Sequence, residues 1–332
     1  MVAPTQTIGV IGLGLIGGSV ALESLAEGWS LLATDVDPDQ REAAAAAGVA
    51  VTDDVEEVAR VADLIVVATP APQVMDVMHR IDRVRVTPVV VTSVASVQGP
   101  TTTAARAAEL RYVRHLGGHP MTGTERSGFR AARRGMFDGS PWIITADAED
   151  QVGSLRAVVD LALGLGAVPA VLPPDEHDRT VALLSHLPHV LAYAMFSRLQ
   201  TDDAQGADLL AGGSFRDATR VAATRPSFWA EVLSLNRVAV ADLVAGVRDD
   251  LAEVEALLRG DAPVPQLEAW LARGHRAVGR PRPATPPPTP VPRDAQAPLG
   301  ETLARELRDY TRGGLGIEGW VDDGDALSWS PL

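Results

Sequence analysis

The stretch TIGVIGLGLIGGS, residues 7–19, decides the fold. Thr7–Ile11 is a short apolar run of strand type, and Gly12, Gly14 and Gly17 follow it as G-x-G-x-x-G. Leu22 and Leu25 then keep a helical spacing. A glycine turn by itself says little. A strand before it, a helix after it and an acid closing the next strand are the setting a dinucleotide needs. That acid is Asp35, at the end of WSLLATD (29–35). The glycines let backbone amides approach a pyrophosphate at the helix N-terminus, with Leu15 and Ile16 in the same loop, while Asp35 accepts from ribose hydroxyls. Its negative charge repels a 2′-phosphate, so the pattern predicts NAD rather than NADP as cofactor. Asp37, before Pro38, reads only as the start of a helix.

Outward from this loop, helices and strands alternate. A helix over 38–47, a strand over 63–68 (DLIVVA), a helix over 72–80, a strand over 88–92 and a helix over 99–110 give the βαβ rhythm of a parallel sheet. Thr69 and Pro70 end the third long strand, where a turn to the nicotinamide ribose would lie. SVASVQG (93–99) follows the fourth strand; Ser93 or Ser96 either caps the next helix or offers a hydroxyl at the strand ends. Strand-like segments over 141–146 and 167–172, with a helix over 151–163, complete a first domain over 1–172.

Within it lies GGHPMTGTERSGF (117–129). An apolar run ends at Leu116, and Gly117-Gly118 predicts a sharp turn that holds His119 at the carboxyl ends of the strands. A histidine there, with an ordinary pKa near ~6.5, is suited to take a proton at neutral pH. Glu125 comes next. Arg126, Arg130, Arg133 and Arg134 read either as a solvated helix face or as a basic cluster that concentrates an anion.

From about residue 174 the strand patterns stop. Helical stretches over 174–199, 204–211 and 226–259 predict an all-helical second domain over 173–262. Leu183, Leu184, Leu187, Leu191 and Met195 give it a broad apolar face of the kind that supports dimerisation. SHLPHVLA (185–192) sets His186 and His189 three apart, but no third ligand is evident and no metal is expected. GGSFRDATRVAATRPSFW (212–229) carries Arg216, Arg220 and Arg225, guanidinium groups that suit a carboxylate clamp, and ends at Trp229. Residues 263–298, with PRPATPPPTPVPRD, read as a stiff, solvated, proline-rich linker. Residues 299–332 read as a short tail with one helix, Leu299, Leu303 and Leu307 on one side, and a loosely ordered acidic end.

Composition narrows the chemistry. The 332 residues can bury two cores. All 29 basic residues are arginine, which removes lysine bases and Schiff bases. The lack of cysteine removes disulfides and thiolate nucleophiles and is compatible with the cytoplasm. A net charge of -14 argues against nucleic-acid binding. No uninterrupted apolar run approaches the ~18 residues of a membrane span, and the N-terminus enters a strand without a signal-peptide layout.

Taken together, GLGLIGGS, SVASVQG, GGHPMTGTERSGF, SHLPHVLA and GGSFRDATRVA…FW, in that order over roughly 7–260, resemble the prephenate dehydrogenase family and its arogenate-using relatives in tyrosine biosynthesis. The resemblance implies an α/β Rossmann-type dinucleotide-binding domain followed by an all-helical dimerisation domain, a homodimer, and NAD-dependent oxidative decarboxylation of a small substrate, prephenate or arogenate. By the same resemblance His119 polarises or deprotonates the substrate hydroxyl and Ser96 hydrogen-bonds near it. Arg220 holds a carboxylate, His189 and Gly213 line the pocket, Trp229 packs beside it, and Glu125 gates it or balances charge. The family's usual Asp-x-Gly-Ser-Val-Lys is here Ser93-Val94-Ala95-Ser96-Val97-Gln98, so its charged flanks are missing. Residues 299–332 are too few for a complete ACT regulatory domain. An amino-substituted prephenate remains open as substrate, and a non-catalytic NAD sensor as a different class. A β-hydroxyacid dehydrogenase is disfavoured by the absence of lysine.

Overall fold

Eight strands, β1 (Thr7–Ile11), β2 (Ser30–Thr34), β3 (Val51–Thr52), β4 (Leu64–Val67), β5 (Val89–Ser93), β6 (Val113–Pro120), β7 (Pro141–Thr145) and β8 (Val168–Leu172), form one sheet in the order β3-β2-β1-β4-β5-β6-β7-β8. The computed structural model describes residues 6–124, 126–200, 207–260, 264–276 and 283–332. The chain divides into two units, Met1–Asp178 with Thr285–Leu332, and Arg179–Ala284.

In the first unit, side chains of β1 and β4 alternate between two apolar layers. Ile8, Val10, Leu64 and Val66 enter one; Ile11, Ile65 and Val67 enter the other. Helices supply both layers: α1 (Leu15–Ala26), α2 (Pro38–Ala46), α3 (Val55–Val61), α4 (Val74–Val84), α5 (Gly99–Ala107) and α6 (Val152–Gly164). Val20 of α1 and Leu155 of α6 lie in the first layer, Val58 of α3 and Met78 of α4 in the second. A strand covered on both faces needs no polar alternation, which is why DLIVVA reads as continuous. The short β3 and α3 fall between segments the sequence reading identified; Asp54 starts α3 by accepting from the Glu56 amide at 2.8 Å.

Through β6 the order is that of a doubly wound dinucleotide sheet, with its switch point between β1 and β4. The expected turn at Gly117-Gly118 is absent: β6 runs through both glycines to Pro120, placing His119 opposite Ile143 of an antiparallel β7. The glycines are there for space. A Cβ on Gly117 would meet the Gln98 and Thr145 side chains, and one on Gly118 would meet Thr92 and Trp142. Nor does RSGFRAARRGMF form a helix. Between β6 and β7 the described residues hold only one turn of 3₁₀ helix, Phe129–Ala131. Parallel returns usually cross over through an α-helix; here β7 comes back antiparallel to β6.

The chain leaves β8 through α7 (Pro174–Val181). The second unit is helical, with α8 (Leu187–Ser197), α9 (Gly213–Thr219), α10 (Pro226–Leu235), α11 (Arg237–Arg259) and α12 (Val264–His275). A π-helical turn, Ala182–His186, precedes α8, where Pro188 has no amide to donate. Leu187 is buried, but Leu183, Leu184 and Met195 are exposed. By length and composition the helical run Pro174–Gln200 could cross a membrane, which continuous apolar stretches in the sequence did not suggest. It carries buried His186 and half-buried His189, which serve packing within the unit. The predicted helix over 204–211 lies partly outside the described residues; Ala207–Leu210 is a 3₁₀ turn.

The proline-rich and C-terminal stretches are more ordered than a linker and loose tail. Residues 264–275 form α12, and β9 (Thr289–Pro290) pairs with β11 (Ala326–Pro331), which pairs with β10 (Leu315–Val321). With α13 (Gly300–Arg312), this small sheet packs on the edge strand β8. Leu299, Leu303 and Leu307 are all buried, as their spacing predicts, and Trp329 is 1% exposed. Thr311 Oγ1 accepts from the Val171 amide at 3.0 Å, and Trp320 Nε1 donates to Asp160 at 2.7 Å. The WVDDGDALSWSPL end is therefore a hairpin that covers an otherwise open sheet edge.

Candidate functional site

The glycine loop meets the demands of a dinucleotide cradle. Gly12 has φ +101°, and a Cβ there would lie 2.6 Å from the Ala68 carbonyl oxygen. At Gly17 a Cβ would run into the Gly12 carbonyl. Gly14 is different: nothing lies within 4 Å of where its Cβ would be. Two glycines are thus required by the protein itself, and the middle one leaves room for a ligand against the backbone. Helix α1 begins at Leu15 with no side-chain cap, and Leu15 and Ile16 are partly exposed. Uncapped amides at a helix start suit an anion. Asp35 accepts from the Leu13 amide at 2.6 Å and from the Asp37 amide at 2.9 Å, which pins its carboxylate beside the loop. Asp37 caps α2 through the Asp39 amide, as its position before Pro38 predicts. Thr69 Oγ1 is buried without a protein partner, and Pro70 is exposed at the start of a 3₁₀ turn. These residues fit a bound dinucleotide.

His119, partly exposed near the end of β6, rests on a partner the sequence reading missed. Its Nδ1 lies 2.9 Å from Nε2 of His177, and the rings meet edge to face at 5.1 Å. His177 is fully buried, and its Nδ1 lies 2.8 Å from Asp178 Oδ1. The Asp178 carboxylate also accepts from the Gln98 and Gly99 amides, at 2.9 Å each. The available signal was a His-Asp pair in the first turns of a helix, inside PPDEHDRTV.

Asp178 also settles the capping question. Neither Ser93 nor Ser96 caps α5, whose first amides are taken by a carboxylate from α7. Ser93 instead meets His115 Nε2 at 2.9 Å and donates to Gln98 Oε1 at 3.2 Å. The Gln98 amide donates to the Ser93 and Ala95 carbonyls, so neutral hydrogen bonds hold the turn in which Ser96 sits partly exposed. Burial, followed by the nearby Arg106 charge, lowers the His115 pKa to about 4.

Arg126, Arg130, Arg133 and Arg134 are exposed, on a loop rather than a helix. That loop folds onto the dinucleotide half: the Phe129 amide donates to Gln40 at 2.7 Å, and the Arg133 amide donates to Ser19 Oγ at 3.1 Å. Glu125 lies outside the described residues.

Within the helical unit, three predicted residues come together. His189 stacks on Trp229 with ring centroids 3.5 Å apart, and its Nδ1 donates to the Ser185 carbonyl at 2.8 Å. Burial lowers the His189 pKa first, and the charge of Arg220 lowers it further. Arg220 is exposed where α9 passes into a 3₁₀ turn, and Gly213 is exposed at the opposite end of α9. Trp229 is buried, with its Nε1 lacking a protein partner. His186 also meets Trp229, edge to face with ring centroids 5.9 Å apart, while its Nδ1 lies 3.2 Å from the Asn236 amide nitrogen. Among the described residues no group of three or more His, Asp or Glu could hold a metal.

Comparison with known proteins follows the same division. The nucleotide-binding domain of prephenate dehydrogenase matches residues 20–171, and its dimerisation domain matches residues 173–273. A Bacillus subtilis prephenate dehydrogenase is 29% identical over 71% of this chain; the match spans 66% of that relative's length. A Streptomyces niveus protein named "Probable prephenate dehydrogenase NovF" is 31% identical over 77% of this chain and 70% of its own. The crystal structure of Synechocystis arogenate dehydrogenase superposes with a TM-score of 0.70 at 27% identity, covering 82% of this chain and 99% of that one. By sequence motif, sheet topology and domain order, this chain belongs to the prephenate dehydrogenase family.

Proposed function

We propose that this protein is a cytoplasmic, homodimeric, NAD-dependent dehydrogenase that converts prephenate to 4-hydroxyphenylpyruvate in tyrosine biosynthesis. The observation that carries the reading is His119, held through Nδ1 near the end of a strand in the unit that bears the glycine cradle. NAD⁺, when bound, accepts the hydride from the ring carbon that bears the hydroxyl. Loss of carbon dioxide then makes the ring aromatic, which supplies most of the driving force. The protein's own task is to align the substrate and manage one proton.

His119 takes the hydroxyl proton, and Ser96 hydrogen-bonds the same oxygen. Gly12, Gly14, Leu15, Ile16 and Gly17 hold the pyrophosphate, Asp35 the adenosine ribose, and Thr69-Pro70 the nicotinamide side. In the helical unit, Arg220 binds a substrate carboxylate, with His189, Gly213 and Trp229 around it; Glu125 keeps the gating or charge-balancing role the resemblance implies. Burial and then the Arg220 charge lower the His189 pKa, which favours its neutral form beside the anion's guanidinium partner. The exposed Leu183, Leu184 and Met195 belong to the dimer face.

Purified protein is tested for NADH formation with prephenate, arogenate and an amino-substituted prephenate, each with NAD⁺ and NADP⁺. Prephenate with NAD⁺ gives the highest kcat/KM. His119→Asn lowers kcat by about 10²–10⁴-fold while NAD⁺ affinity stays within about twofold. Undiminished turnover by that variant removes His119 from the mechanism.

A further inference from the structure

The hydrogen bonds beneath His119 determine which of its nitrogens carries the proton. Both oxygens of Asp178 accept backbone amides, so the side chain serves as an acceptor toward His177 as well. His177 Nδ1 must then bear the hydrogen, and the Nε2 of neutral His177 presents a lone pair. Facing that lone pair at 2.9 Å, His119 Nδ1 must be the donor. In neutral His119 the remaining lone pair is on Nε2.

We infer that His177 and Asp178 are positioning residues that hold His119 as its Nδ1–H tautomer, so that Nε2 accepts the substrate's hydroxyl proton; this rests on the dehydrogenase reading above. As the carbon-bound hydrogen leaves with its electron pair as hydride to NAD⁺, the hydroxyl O–H bond breaks and its proton passes to Nε2. The imidazolium so formed points its Nδ1–H at His177, behind which the Asp178 carboxylate offsets the positive charge. After the carboxyl C–C bond breaks, its electrons remain in the ring and carbon dioxide departs. The proton then returns from Nε2 to the phenolate oxygen. The dyad reaches the reaction only through His119. It also caps α5, so the C-terminal flank of the Ser96 turn and the base are held by one buried carboxylate.

The direct test is the protonation pattern of the intact chain, labelled with ¹⁵N-histidine and free of substrate. Long-range ¹H–¹⁵N spectra distinguish the two tautomers, and His119→Asn assigns the His119 signals. An Nδ1–H form is expected; an Nε2–H form in the wild type overturns the inference, whatever the turnover. Failure of the dehydrogenase reading shows itself separately, as no NADH from the wild-type chain with any of the three substrates. A kinetic arm uses His177→Phe, which removes the acceptor, and His177→Gln, whose amide oxygen can accept from Nδ1–H. The first lowers kcat by about 10²–10³-fold with NAD⁺ affinity unchanged, and the second recovers at least about tenfold of that loss. Equal kcat in the two variants, or wild-type kcat in His177→Phe, overturns it. Because the wild-type spectrum needs no variant, a poorly folding substitution does not shield the inference.

Discussion

His115 gives the fold a dependence on pH that can be worked out in advance. Its Nε2 faces Ser93 Oγ at 2.9 Å, and because Ser93 donates onward to Gln98, Nε2 must be the donor in that pair. The other nitrogen, Nδ1, is shut off from solvent and has no protein partner. Protonation there would place a charge in a desolvated position near Arg106, and the pKa falls from the ordinary 6.5 to about 4. The unfolded chain takes up this proton below pH 6.5 while the folded chain resists it down to about pH 4. The contribution is therefore fully present above pH 6.5, declines as the pH falls, and levels off beneath pH 4. With those two values, the loss from this one group is about 2 kcal/mol at pH 5 and about 3 kcal/mol at pH 4. That is a large fraction of the ~5–15 kcal/mol that holds a typical domain together. Urea unfolding of the wild type and His115→Gln, followed from about pH 7.5 to about pH 4.5, separates this histidine from every other titrating group. The variant should lose about 2 kcal/mol less than the wild type on reaching pH 5. Curves that stay parallel within about 0.5 kcal/mol would refute the argument that Nδ1 is desolvated and unpartnered.

Gly17→Ala sets a Cβ against the Gly12 carbonyl, so NAD⁺ affinity, read by titration calorimetry, should fall by at least about tenfold. Trp329→Ala empties a site 1% exposed and releases the Thr289 hydroxyl that Trp329 Nε1 reaches at 3.1 Å. Unfolding free energy should drop by about 3–5 kcal/mol, and no change would mean that the C-terminal sheet is an ornament on β8. Arg220→Ala should raise the substrate KM by about 10–100-fold with a smaller effect on kcat. Because the Arg220 charge lowers the His189 pKa, NMR titration of that variant should find His189 more basic than in the wild type.

Much of this was legible without coordinates, because local chemistry carried it. G-x-G-x-x-G between a strand and a helix, with Asp35 closing the next strand, needs only short-range geometry, and the structure reproduces it at Gly12, Gly17 and Asp35. Leu299, Leu303 and Leu307 announced a buried helix face by spacing alone. What the sequence could not decide depended on which distant residues meet. Gly117-Gly118 looks like a turn in one dimension; only the Gln98, Thr145, Thr92 and Trp142 side chains crowding β6 show that the glycines make room instead. The proline-rich stretch reads as a stiff, solvated linker and the acidic end as loosely ordered. They are ordered by partners elsewhere in the chain, on β8 and α6. His119 was visible as a candidate, but its support was not. His177 and Asp178 lie 58 and more positions away, and the hydrogen bonds that orient the imidazole come into being only when α7 returns to the start of α5. Periodicity and motif report what a residue's neighbours in sequence demand, whereas a proton's location is set by neighbours in space.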